Sequence, residues 1–84
     1  MAQLVKHYPD TPHKNRVVFS GKKEDMVFHL NEIEKRLDRE KISKCGTVFT
    51  ETARFCDDCL RVCIYKNVDT DNEETIDITY NVFP

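Results

Sequence analysis

Met26, Leu30, Ile33 and Leu37 recur at spacings of four, three and four residues, the stripe of a 3.6-residue helix. Val27 and Phe28 widen the stripe. Asn31, Glu32, Glu34, Lys35, Arg36, Asp38 and Arg39 fill the opposite side. This periodicity predicts one amphipathic helix from Ser20 to about Glu40, roughly 28 Å long at 1.5 Å per residue. Ser20 is placed to cap it, with its hydroxyl taking a free backbone N–H. Glu24 and Asp25 follow in the first turns, and Arg36, Arg39 and Lys41 come late. Both placements suit the helix dipole. Glu32 and Arg36 add a favourable pair one turn apart. A stripe this narrow must be buried against another part of the chain or against a partner.

Strand patterns supply a layer for it. In residues 75–83, Ile76, Ile78, Tyr80 and Val82 alternate with Thr75, Asp77, Thr79 and Asn81. In residues 60–68, Leu60, Val62 and Ile64 alternate with Arg61, Cys63 and Tyr65. Arg16-Val17-Val18-Phe19 reads as a shorter strand, ended by Ser20-Gly21. Residues 47–59 admit two readings. As a strand, Phe49, Glu51, Ala53 and Phe55 share a face, with the cost of placing Glu51 on the buried side. As a helix, Phe49, Ala53, Cys56 and Leu60 form a stripe. The threonines and Val48 favour the strand. Residues 42–46 read as a connector broken by Gly46.

The predicted fold is therefore a two-layer α+β domain of order β-α-β-β-β, with the helix on an antiparallel sheet. The stripe would cover Leu60, Val62, Ile64, Ile76, Ile78, Tyr80 and Val82. Arg54, Arg61, Tyr65, Thr79 and Asn81 would face water. Residues 1–14, with Pro9 and Pro12 framing Asp10-Thr11, read as an irregular arm before a single domain over 15–84.

At 84 residues the chain holds one modest core. Charged residues make up 33% and hydrophobic ones 39%, polar for a globular domain, yet eight aromatics (three Tyr, five Phe) argue against disorder. No apolar run suits a membrane span, and the start shows no leader-like stretch. The expectation is a cytoplasmic protein with reduced cysteines. The net charge of −2 is unevenly spread. Residues 1–44 hold ten Lys/Arg against seven Asp/Glu, and residues 45–84 hold three against eight.

The cysteines are the first candidates for chemistry. Cys45, Cys56, Cys59 and Cys63 contain one good ligand pair, Cys56-Asp57-Asp58-Cys59. If Asp57-Asp58 turns a hairpin, Cys63 lies roughly 13 Å down a strand from Cys59, too far for a shared ion. No cofactor is expected. Structural zinc on the four cysteines is the alternative, and it goes with a helical reading of 47–59. The two aspartates between the thiols also oppose a redox CxxC, which needs a lowered thiol pKa.

The loop from Asp69 to Glu74 is no calcium site, since its sixth position is Glu74 rather than Gly and its twelfth is Tyr80 rather than Glu. His7, His13 and His29 share no ligand spacing, and His29 is expected to pair with Asp25. With only Gly21 and Gly46, no glycine-rich phosphate loop exists. No reaction is specified. Lys14, Arg16, Lys22, Lys23, Lys41 and Lys44 could touch phosphates, but Glu24 and Asp25 interrupt them, and a solvated mixed-charge surface is the simpler reading.

What remains is binding. Asp57, Asp58, Asp69, Asp71, Glu73 and Glu74 are expected to form an acidic patch beside a free strand edge. That points to a non-enzymatic module for a partner with a basic surface, such as a nucleic-acid-handling protein that it would inhibit or modulate. The edge also allows two copies to pair. The alternative is a small nucleic-acid-binding module stapled by zinc.

Overall fold

The computed structural model describes residues 1–43, 48–68 and 70–84. Its strands are β1 (Ala2–His7), β2 (Arg16–Gly21), β3 (Val48–Cys56), β4 (Cys59–Lys66) and β5 (Glu74–Phe83). One helix, α1 (Lys23–Ser43), joins β2 to β3. The strands form one antiparallel sheet in the order β2-β1-β5-β4-β3. The α+β class, the helix on one layer and the meander of the last three strands agree with the sequence reading.

The core is the predicted one with an addition. Met26, Leu30 and Ile33 pack against Leu60, Val62, Ile78, Tyr80 and Val82, with Leu37, Ile64 and Ile76 at the margin. Ala2 and Leu4 complete it. Leu4, Met26, Leu30, Leu60 and Val62 are fully buried. Each such side chain contributes about 1.5–3 kcal/mol relative to exposure.

The irregular-arm expectation for residues 1–14 fails at residues 2–7. These form β1, an interior strand hydrogen-bonded to both β2 and β5. Leu4 lies opposite Val82 on one side and Phe19 on the other, so the arm's apolar residues fill the core. Pro9 and Pro12 act only after β1 ends, in a link closed by Tyr8 N–H to Asn15 Oδ1 at 2.7 Å. A single turn of 3₁₀ helix, Pro12–Lys14, follows Tyr8.

The helix begins later than its pattern suggested. Ser20 belongs to β2, opposite Gln3, and does not cap α1. The first helical bonds run from Asp25 and Met26 N–H to the Lys22 carbonyl, both at 3.1 Å. Gly21, at φ 153°, carries the chain out of the strand through backbone space that side chains disfavour. His29 stacks flat on Phe19, with ring centroids 3.9 Å apart, rather than pairing with Asp25.

Residues 48–56 are extended, as the strand reading held, but the face is reversed. Thr50 pairs with Ile64, Thr52 with Val62 and Arg54 with Leu60, so these three lie on the helix side. Phe49, Glu51 and Ala53 lie on the open side, opposite Tyr65, Cys63 and Arg61. Glu51 therefore stays exposed and carries no burial cost. Arg54, expected in water, reaches Glu34 of the helix at 2.9 Å. No described helix is long and apolar enough to cross a membrane.

Candidate functional site

A single helix covers one face of the sheet. The other face presents Phe49, Glu51, Cys59, Arg61, Cys63, Tyr65, Asp77, Thr79 and Asn81. Its centre is a polar cluster. Asp77 Oδ1 accepts from Cys63 Sγ at 2.9 Å and from Arg61 Nη2 at 3.2 Å. These donors, Cys63 first and then Arg61, hold the Asp77 carboxyl below its ordinary range. The same hydrogen bond, with some burial, pushes the Cys63 thiol up.

The acidic residues singled out from sequence are not one patch. Asp57 and Asp58 form the two-residue turn between β3 and β4. Arg54 clamps that turn, with Nε donating to the Cys56 carbonyl at 2.7 Å and Nη2 to the Asp57 carbonyl at 2.9 Å. Asp71, Glu73 and Glu74 lie at the other end, in or beside the β4–β5 loop, and Asp69 falls outside the described residues. Thr70 braces that loop, its Oγ1 donating to the Asn67 carbonyl at 2.6 Å. Strand β4 separates the two groups by about 23 Å at 3.3 Å per residue. The hairpin thus has an acidic pole at each end, with β3, the outermost strand of the described sheet, running between them.

Beside one pole lies a hollow of about 360 Å³ lined by Phe49, Glu51, Tyr65, Val68 and Glu73. The Phe49 and Tyr65 rings are 5.9 Å apart and tilted by 34°. Glu51 neighbours them on the same face, and its charge is the leading cause that raises the Tyr65 hydroxyl's pKa. Two carboxylates and two aromatic rings lining one hollow suit an alkylammonium or guanidinium group. Of the five, only Glu73 was a candidate from sequence.

The thiols are spread along the hairpin. Cys56 lies opposite Cys59 across the turn, with its Sγ 2.7 Å from Asp58 Oδ1. That hydrogen bond to the carboxylate raises the Cys56 thiol pKa. Cys63 is four residues along β4 from Cys59 and faces Asp77. Cys45 lies outside the described residues. Among the described residues no three His, Cys, Asp or Glu side chains converge to hold a metal ion.

No protein-family model, curated protein or solved structure matches this chain.

Proposed function

We propose that this chain is a non-enzymatic binding module that takes a basic segment of a partner protein along the outer side of β3. The observation that carries the reading is the hollow of Phe49, Tyr65, Glu51 and Glu73 beside that edge. An extended segment added to the edge gains main-chain hydrogen bonds, while a pocket on the sheet face selects a side chain. An Arg or Lys there gains cation–π attraction of about 0.5–2 kcal/mol, together with the two carboxylates. The acidic poles, Asp57-Asp58 and Asp71-Glu73-Glu74, favour encounter with a positive surface. Proteins that handle nucleic acids carry such surfaces, and occupying one would inhibit or modulate its owner. The chain performs no chemistry of its own in this reading.

Self-pairing through β3 is the rival occupant. Antiparallel pairing of two copies would set Asp57 and Asp58 of one against Glu73 and Glu74 of the other. Like charges in register oppose that dimer.

The test is an NMR titration of the full chain with an extended Arg/Lys-rich peptide, with an acidic peptide of equal length as control. Shifts confined to residues 48–56, 65 and 73, and weakened about tenfold or more by Glu51→Gln with Glu73→Gln, are expected. Shifts spread over the surface, or affinity untouched by the double change, end the proposal. Light scattering that finds a stable dimer assigns the edge to a second copy instead.

A further inference from the structure

On the opposite flank, between α1 and β2, lies a groove of about 510 Å³ that the proposed partner site does not use. Its charged lining is Lys6, Arg16, Arg36 and Arg39 against a single carboxylate, Glu32. Glu32 is itself drawn to Lys35, 3.6 Å away on the outer helix surface. Among the described residues, no carboxylate forms an ion pair with Arg16, Arg36 or Arg39. The floor is apolar, made by Val18, Phe19, Ile33 and Tyr80.

The fold creates this cluster from distant parts of the chain. Lys6 comes from β1, Arg16 from the start of β2, and Arg36 and Arg39 from consecutive turns of α1. The β1–β2 register shifts between Leu4 and Val5, which leaves Val18 as the extra residue of a bulge lining the groove. The positive field extends past the groove's end. The Tyr8 hydroxyl is held below its ordinary pKa by Lys6 first, and further by the charges of Arg16 and Lys14.

Among the described residues these three guanidinium groups are exposed and carry no ion pair, and guanidinium forks match phosphate oxygens two at a time. The volume falls in the range of small-ligand sites, roughly 300–1,000 Å³. An apolar floor has no use for a bare anion, but it receives the apolar body of an organic one, against Val18 and the part of Phe19 that His29 leaves uncovered. A long polyanion fits less well. The chain's net charge of −2 gives a long polyanion no general attraction beyond the groove's own cations.

We propose that the groove binds a nucleoside phosphate, with its phosphates on Arg16, Arg36 and Arg39 and its nucleoside against Phe19 and Val18.

Calorimetric titration of the full chain at low ionic strength, with ATP, tripolyphosphate, adenosine and a single-stranded oligonucleotide, tests this. ATP is expected to bind more tightly than tripolyphosphate or adenosine. Arg16→Gln and Arg36→Gln should each weaken ATP about tenfold, the equivalent of about 1.4 kcal/mol. Phe19→Ala should weaken ATP while leaving tripolyphosphate unchanged. Lys23→Gln, a cation remote from the groove, should change nothing, and thermal melts of each variant report folding. Four outcomes overturn the proposal: no ATP binding, ATP bound equally by the arginine variants, equal loss in Lys23→Gln, or tripolyphosphate matching ATP. Tighter binding of the oligonucleotide, with a steep salt dependence, reassigns the groove to a nucleic-acid strand.

Discussion

Arg54 Nη1 lies 2.9 Å from Glu34 Oε1, joining the outermost strand to the middle of the helix. The same guanidinium donates to the Cys56 and Asp57 carbonyls, so one side chain ties helix, edge strand and turn together. Asp38 and Thr52 repeat the helix-to-strand link at 3.1 Å. The strand that we propose for docking is therefore held from the helix side.

Arg54→Ala is expected to destabilise the fold by about 1–3 kcal/mol, since three charge-assisted bonds go and Glu34 loses its partner. Arg54→Lys should recover little, because an ammonium cannot reach all three acceptors from one plane. Urea unfolding monitored by circular dichroism checks both. A change of under about 0.5 kcal/mol in Arg54→Ala would place this contact among ordinary surface pairs.

Leu4→Ala should cost about 2–4 kcal/mol, the range for emptying a fully buried leucine site. A leucine in a loose arm would give almost no change. The urea midpoint separates the two, provided the slope of the transition stays constant.

Thiol reactivity should report the carboxylate contacts. The raised Cys63 pKa means that its hydrogen bond to Asp77 supports the fold fully below the unfolded thiol pKa. That support fades as pH rises through the higher folded value. The lowered Asp77 pKa works at the acid end. Its contribution is present above the unfolded carboxylate value of about 3.9 and is lost as pH falls through the folded one. Iodoacetamide labelling followed by mass spectrometry should show Cys63 reacting only at high pH. In Asp77→Ala the onset should move to lower pH. An unmoved onset removes Asp77 as the cause.

Zinc content of protein purified without added metal should fall well below one ion per chain, with a melting temperature indifferent to chelator. The reason is geometric, as Cys63 faces Asp77 rather than the Cys56–Cys59 pair. Stoichiometric zinc, with melting lowered by chelator, would reverse this.

Much of the architecture was legible because burial leaves a periodic trace. Met26, Leu30 and Ile33, and the alternation of Ile78, Tyr80 and Val82, mark their buried faces without help. The strand β1 was hidden because its inward residues are only Ala2, Leu4 and Lys6, too few to show a period beside two prolines. The hollow was hidden by a register shift. Counting outward from the Asp57-Asp58 turn pairs Phe49 with Lys66, but the irregularity between Arg54 and Cys56 sets it opposite Tyr65. The basic groove was hidden because Lys6, Arg16, Arg36 and Arg39 are dispersed in sequence, whereas the acidic residues form two sequence groups that β4 holds at opposite ends.

Sequence alone determined that one amphipathic helix and alternating strands are present, because their apolar spacings mark the faces that must be buried. It pointed to the wrong face of β3, since alternation marks two faces and hydrophobicity favoured the Phe49 side. Tertiary structure decided the face through Arg54 and Glu34, turning Thr50 inward and Phe49 outward. That choice, made by hydrogen bonds and register rather than by hydrophobicity, puts Phe49 and Glu51 beside Tyr65 and Glu73 on the open face.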